Sequence, residues 1–104
     1  MNRAASRYYR RPRPRYGLAC AGCWRPASDW EVVNGRFQRV WSGPRRARRR
    51  AIISRGGGVW SWTVQEWRGG AWHEIARALP SSQRPPYFAA QQAMPFADLA
   101  ASTR

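Results

Sequence analysis

The chain has 104 residues, carrying 19 basic side chains against five acids, a formal charge of +14 and a pI near 11.8. That length holds one small domain with tails. It contains no apolar run of the roughly 18 residues that a membrane span needs, and nothing after the basic start resembles the apolar core of a signal peptide. Every basic residue is arginine, so a phosphate loop built on lysine is excluded, and the shortage of acids points to a polyanionic partner. The expected location is intracellular, either cytoplasmic or inside a nucleoprotein or virion assembly.

Residues 1–17 hold six arginines, three tyrosines, two prolines and no acid. Such a segment buries too little apolar surface to fold alone, and Arg-Pro-Arg-Pro favours an extended polyproline II strand. It reads as a basic tail ahead of a single α+β domain at 18–104. Arg7, Arg10, Arg11, Arg13 and Arg15 would meet phosphates, with Tyr8 and Tyr9 offering rings for base stacking. Cys20 and Cys23 form a C-x-x-C pair, which supplies only half of a zinc site. They are weak metal candidates, and no cofactor is expected.

Residues 28–41 read as a hairpin. Asn34-Gly35 suits a two-residue type I′ turn, since both central residues need positive φ. The turn sets Val33 opposite Arg36, Val32 opposite Phe37, Glu31 opposite Gln38, Trp30 opposite Arg39 and Ser28 opposite Trp41. One face then collects Trp30, Val32, Phe37, Arg39 and Trp41, and the other is largely wet. Ser42-Gly43-Pro44 looks like a helix start, and the wheel predicts an arginine-loaded helix running to about residue 53. Arg45, Arg46, Arg49 and Arg50 share one side, with Arg48 at the border. Like charges at i,i+4 disfavour such a helix by a few tenths of a kcal/mol per pair, and a polyanion lying along it would relieve them.

Gly56-Gly57-Gly58 reads as a flexible break before a second hairpin turning at Gly69-Gly70. That turn sets Trp67 opposite Trp72, Glu66 opposite His73, Val64 opposite Ile75, Trp62 opposite Arg77 and Trp60 opposite Leu79. Trp67 and Trp72 fall on the polar face, where they form either an exposed aromatic platform or a cross-strand pair covered by the tail or a partner chain. A loop over 80–86 leads into a last helix, YFAAQQAM, with Pro95 kinking or restarting it so that Phe96 and Leu99 cap the core.

Strand, glycine turn, strand, loop and helix recur in both halves. The expected fold is therefore α+β, a ββα-ββα pseudo-repeat with an antiparallel sheet of two hairpins and two helices on one face. The inner arginines Arg39 and Arg77 would stack on tryptophan or snorkel past it. Trp60-x-Trp62-x-Val64, a glycine turn and a following helix resemble, in pattern over about a third of the chain, the small sheet-and-helix modules with which arm-type integrase domains lay strands on DNA. No family assignment follows from that pattern.

Five scattered carboxylates and one histidine give little to build catalysis from. The expected function is non-enzymatic nucleic-acid binding, DNA or RNA, with low sequence specificity, through Arg45, Arg46, Arg48, Arg49 and Arg50, the tail, and Trp67 with Trp72. The alternative is a small phage or mobile-element interaction protein, a virion component or an inhibitor. It would dock on an acidic protein surface or a nucleic-acid enzyme through Arg and Trp/Tyr residues.

Overall fold

A computed structural model describes residues 23–103. Its strands are β1 (Arg25–Pro26), β2 (Glu31–Val33), β3 (Arg36–Ser42), β4 (Arg48–Gly56), β5 (Val59–Arg68) and β6 (Ala71–Arg77), followed by α1 (Ala90–Ser102). They form a six-stranded antiparallel sheet in which β3, β4, β5 and β6 follow one another as a meander, and both β1 and β2 pair with β3. The described residues are thus a small α+β domain.

Turn chemistry builds this meander. The pairs Asn34-Gly35, Gly57-Gly58 and Gly69-Gly70 all have positive φ at both residues, as two-residue hairpin turns require. Gly57-Gly58 is therefore a third tight hairpin, not a flexible break, and joins the two expected hairpins into one sheet. The first hairpin has the expected register at Val33–Arg36, Val32–Phe37 and Glu31–Gln38. Beyond Glu31 the chain leaves β3 and returns two residues out of step, with Pro26 rather than Ser28 opposite Trp41. Ser28 instead accepts from the Val40 amide through its hydroxyl.

The arginine helix does not form. Pro44–Arg46 is a single tight turn, Arg45 and Arg46 have positive φ, and residues 48–56 are a strand paired on both flanks. A strand sends alternate side chains to opposite faces, so Arg49, Ala51 and Ile53 turn inward while Arg48, Arg50 and Ile52 turn outward. It also suits the β-branched Ile52-Ile53 pair and separates arginines that a helix would stack. With β4 in the sheet the ββα-ββα pseudo-repeat is lost, and α1 is the only α-helix among the described residues.

In the second hairpin Trp67–Trp72 and Glu66–His73 pair as expected, but a bulge between Val64 and Gln65 shifts the rest. Val64 lies opposite Ala76 and Thr63 opposite Arg77, so neither the Val64–Ile75 nor the Trp62–Arg77 pairing occurs. Trp60 bridges to Tyr87 rather than Leu79, which is 58% exposed. The bulge keeps Ile75 partly buried against the core.

Helix α1 runs through Pro95 without restarting. Ala90, Ala93, Ala97 and Ala101 form one buried stripe on both sides of the proline, while Pro95 and Gln91 face outward. The carbonyl that Pro95 cannot satisfy thus faces water. Small alanines bring the helix close to Ala51, Ile53 and Val64, and Phe96 and Leu99, expected in the core, are exposed. Gly43 is needed at the margin of this core, because a side-chain carbon there would lie 2.6 Å from the buried Trp24 ring.

Candidate nucleic-acid interface

The sheet has two unlike faces. One lies under α1, and two arginines clamp the helix to it. Arg39 donates to Asp98 at 3.1 Å with its guanidinium 6.0 Å from the Trp30 ring and 5.6 Å from the Trp41 ring, the aromatic stacking expected for it. Burial pushes the Asp98 carboxyl up, against the opposing charge of Arg39 and hydrogen bonds from Arg39 and Trp30. Arg49 is 6% exposed, sits 3.9 Å over the Trp24 ring, and donates to Glu66 at 3.0 Å. It also donates to the carbonyls of Ala101 and Thr103, closing the C-terminal end of α1, where a cation is favoured by the helix dipole. Arg49 is thus a structural cation inside the domain, buried away from the surface where the sequence reading placed it.

The five carboxylates are distributed unevenly. Glu66 pairs with Arg49 and Arg68, Glu74 with Arg77, and Asp98 with Arg39. Within residues 23–103, Arg25, Arg36, Arg45, Arg46, Arg48, Arg50, Arg55 and Arg84 have no carboxylate partner among the described residues. Most of these gather on the second face of the sheet, opposite α1.

The strand register places them there. Arg25 is opposite Ser42, and Ser42 is opposite Arg48. Continuing the β4–β5 register puts Arg48 beside Trp67, which pairs with Trp72. One row across the sheet therefore reads Arg25, Ser42, Arg48, Trp67, Trp72. The next reads Val40, Arg50, Gln65, Glu74. Beside the first row, past Ser42 and Arg48 at the ends of β3 and β4, the three-residue loop Pro44–Arg46, closed by the Gly43 amide donating to the Ala47 carbonyl at 2.8 Å, holds Arg45 and Arg46 at the hairpin tip.

The Trp67–Trp72 pair expected from the second hairpin forms. Trp67 and Trp72 meet edge to face, with ring centroids 5.2 Å apart and planes at 70°. Trp67 is 42% exposed. Arg50 lies 4.4 Å over the Trp72 ring and donates to the Gln65 side chain at 2.6 Å, and this burial lowers its pKa without discharging it at neutral pH. Arg50 is thus held over an indole by that contact and by Gln65.

Of the expected site residues, the structure brings together Arg45, Arg46, Arg48, Arg50, Trp67 and Trp72, and sets Arg49 apart. Arg7, Tyr8, Tyr9, Arg10, Arg11, Arg13, Arg15 and Cys20 lie outside the described residues. Cys23 is disulfide-bonded, which takes its thiolate away from a metal, and no three His, Cys, Asp or Glu side chains cluster among the described residues. Sequence reading missed Arg25 and Gln65. Arg25 joins the row only through the two-residue β1, which carries no hydrophobic pattern.

No helix among the described residues is long and apolar enough to cross a membrane. No family model, curated protein or solved structure matches the chain.

Proposed function

We propose that this is a non-enzymatic nucleic-acid-binding protein that lays a single strand across the open face of its sheet. The carrying observation is the row Arg25, Ser42, Arg48, Trp67, Trp72 beside the stacked Arg50–Trp72 pair, with Arg45 and Arg46 in the loop that joins Ser42 to Arg48. Guanidinium groups without acidic partners supply phosphate contacts, and indole faces supply stacking that every base can use. Such contacts give affinity with little sequence choice.

Geometry favours a single strand over a duplex. Five strands side by side span roughly 19 Å, whereas the major groove of B-form DNA is about 12 Å wide and admits a helix or a two-stranded ribbon. The sheet face cannot enter that groove. A strand with splayed bases can lie along it, with a base over the exposed Trp67 ring and phosphates towards Arg48 and Arg50.

The test is retention of a mixed-sequence single-stranded oligonucleotide by the full chain, after nuclease treatment during purification. Replacing Arg45, Arg46, Arg48 and Arg50 together by glutamine is expected to abolish retention at physiological salt. Retention equal to that of the unaltered chain would contradict the proposal. A second reading, docking on an acidic protein surface as a phage or mobile-element component, draws on the exposure of Trp67 beside these arginines. Under it, alanine at Trp67 and Trp72 would weaken partner capture more than the four glutamines do.

A further inference from the structure

On the helix side, beyond the edge of α1, the chain from Leu79 to Phe88 folds back over the sheet and leaves a cavity of about 490 Å3. This is a volume typical of small-molecule sites. Its walls are mostly apolar: Trp62 from β5, Leu79, the Pro85-Pro86 pair, Tyr87, and Phe96 from α1. The loop is fixed in place. The Trp60 amide donates to the Tyr87 carbonyl at 2.8 Å, and Gln92 accepts from the Phe88 and Ala89 amides. One wall is a three-tier stack, with the Arg84 guanidinium 4.2 Å over the Tyr87 ring and Tyr87 stacked on Phe96 at 5.6 Å and 29°.

Two cations line this apolar space, and no acid does. Arg84 is held by the carbonyls of Leu79 and Pro85, and Arg77 by Glu74 through Nε at 2.6 Å. These bonds orient both guanidinium groups and leave the other N–H groups of each without an acceptor among the described residues. A flat wall of stacked rings, a tryptophan and two oriented guanidinium groups complement a ligand with an aromatic body and one anionic group. We propose that this cavity binds a small amphipathic anion, an aromatic ring system bearing a single carboxylate or sulfonate. The site lies at the β6 edge of the sheet, where Arg77 is opposite Thr63 and paired with Glu74, and it does not rest on the nucleic-acid reading.

Anilinonaphthalene sulfonate has this chemistry, and N-phenylnaphthylamine is the same body without the charge. The test titrates each into the isotope-labelled full chain and follows the tryptophan indole N–H resonances, with Trp62 assigned from a Trp62→Phe variant. The sulfonate is expected to bind one to one, moving the Trp62 resonance and leaving those of Trp67 and Trp72 in place. Arg77→Gln and Arg84→Gln should each weaken the sulfonate roughly tenfold or more, as loss of a charge-assisted hydrogen bond implies, and leave the neutral probe nearly unchanged. Leu79→Ala should weaken both probes. Arg77 is exposed, so its variant serves even where Arg84→Gln disturbs the loop. Non-saturating binding, shifts at Trp67 and Trp72 instead of Trp62, or equal sulfonate affinity in the Arg77 variant would overturn the proposal.

Discussion

Two neighbouring arginines show how one residue type takes opposite roles. Arg49 is enclosed by Trp24, Glu66 and the last carbonyls of α1, whereas Arg48 is exposed on the other face. Removing one member of a buried ion pair strands the other, so Arg49→Gln should destabilise the fold by about 3 kcal/mol, and Arg48→Gln by less than about 0.5. Urea unfolding of both variants checks this, and equal midpoints would remove Arg49 from its structural role. Burial raises the Glu66 pKa, and hydrogen bonds and charge from Arg68 and Arg49 more than offset that, leaving it below the ordinary 4.5. A carboxylate with a depressed folded pKa contributes stability above its unfolded value that is lost as pH falls through the folded one. Stability should therefore decline below about pH 4.5, and Glu66→Gln should flatten that acid limb. Asp98 has the opposite sign: its raised pKa favours the fold on the acid side of 3.8 and that contribution fades as pH rises.

At the scale of elements, the β3–β4 hairpin carries conformational strain. Arg45 and Arg46 adopt φ of 57° and 63°, a region that costs a non-glycine residue about 1 kcal/mol or more. Replacing both by glycine should raise the thermal midpoint while weakening oligonucleotide binding. A variant that loses stability, or that binds as before, would show that the tip is not arranged for contact. This hairpin also shows what sequence could disclose. The Asn34-Gly35 and Gly69-Gly70 turns were legible because positive φ at both positions is a local demand, and the Trp67–Trp72 pair followed from one of them. The state of residues 45–53 was not. An arginine run broken only by Ala47 carries no clear periodicity of its own, and Arg49 turns inward because Glu66 lies opposite it, 17 residues away. The helix departs from its sequence pattern for a related reason. Its buried face is made of alanines, which read as filler, while the rings of Phe96 and Leu99's isobutyl group read as core and lie outside it.

For the whole molecule, the main asymmetry is where the acids are spent. Three of five carboxylates neutralise arginines of the helix side or of the second hairpin, and the open face retains a cluster of unpaired guanidinium groups around two indoles. Holding like charges together on one surface disfavours the isolated protein and favours the complex with a polymer of phosphates. The most direct measurement is the salt dependence of single-stranded oligonucleotide binding by fluorescence anisotropy. If about six arginines meet phosphates, log K should fall with log salt at a slope near −4, and glutamine at Arg45, Arg46, Arg48 and Arg50 should take about 3 from its magnitude. A slope near zero, or one the four substitutions leave unchanged, would contradict the assignment of the open face as the binding surface.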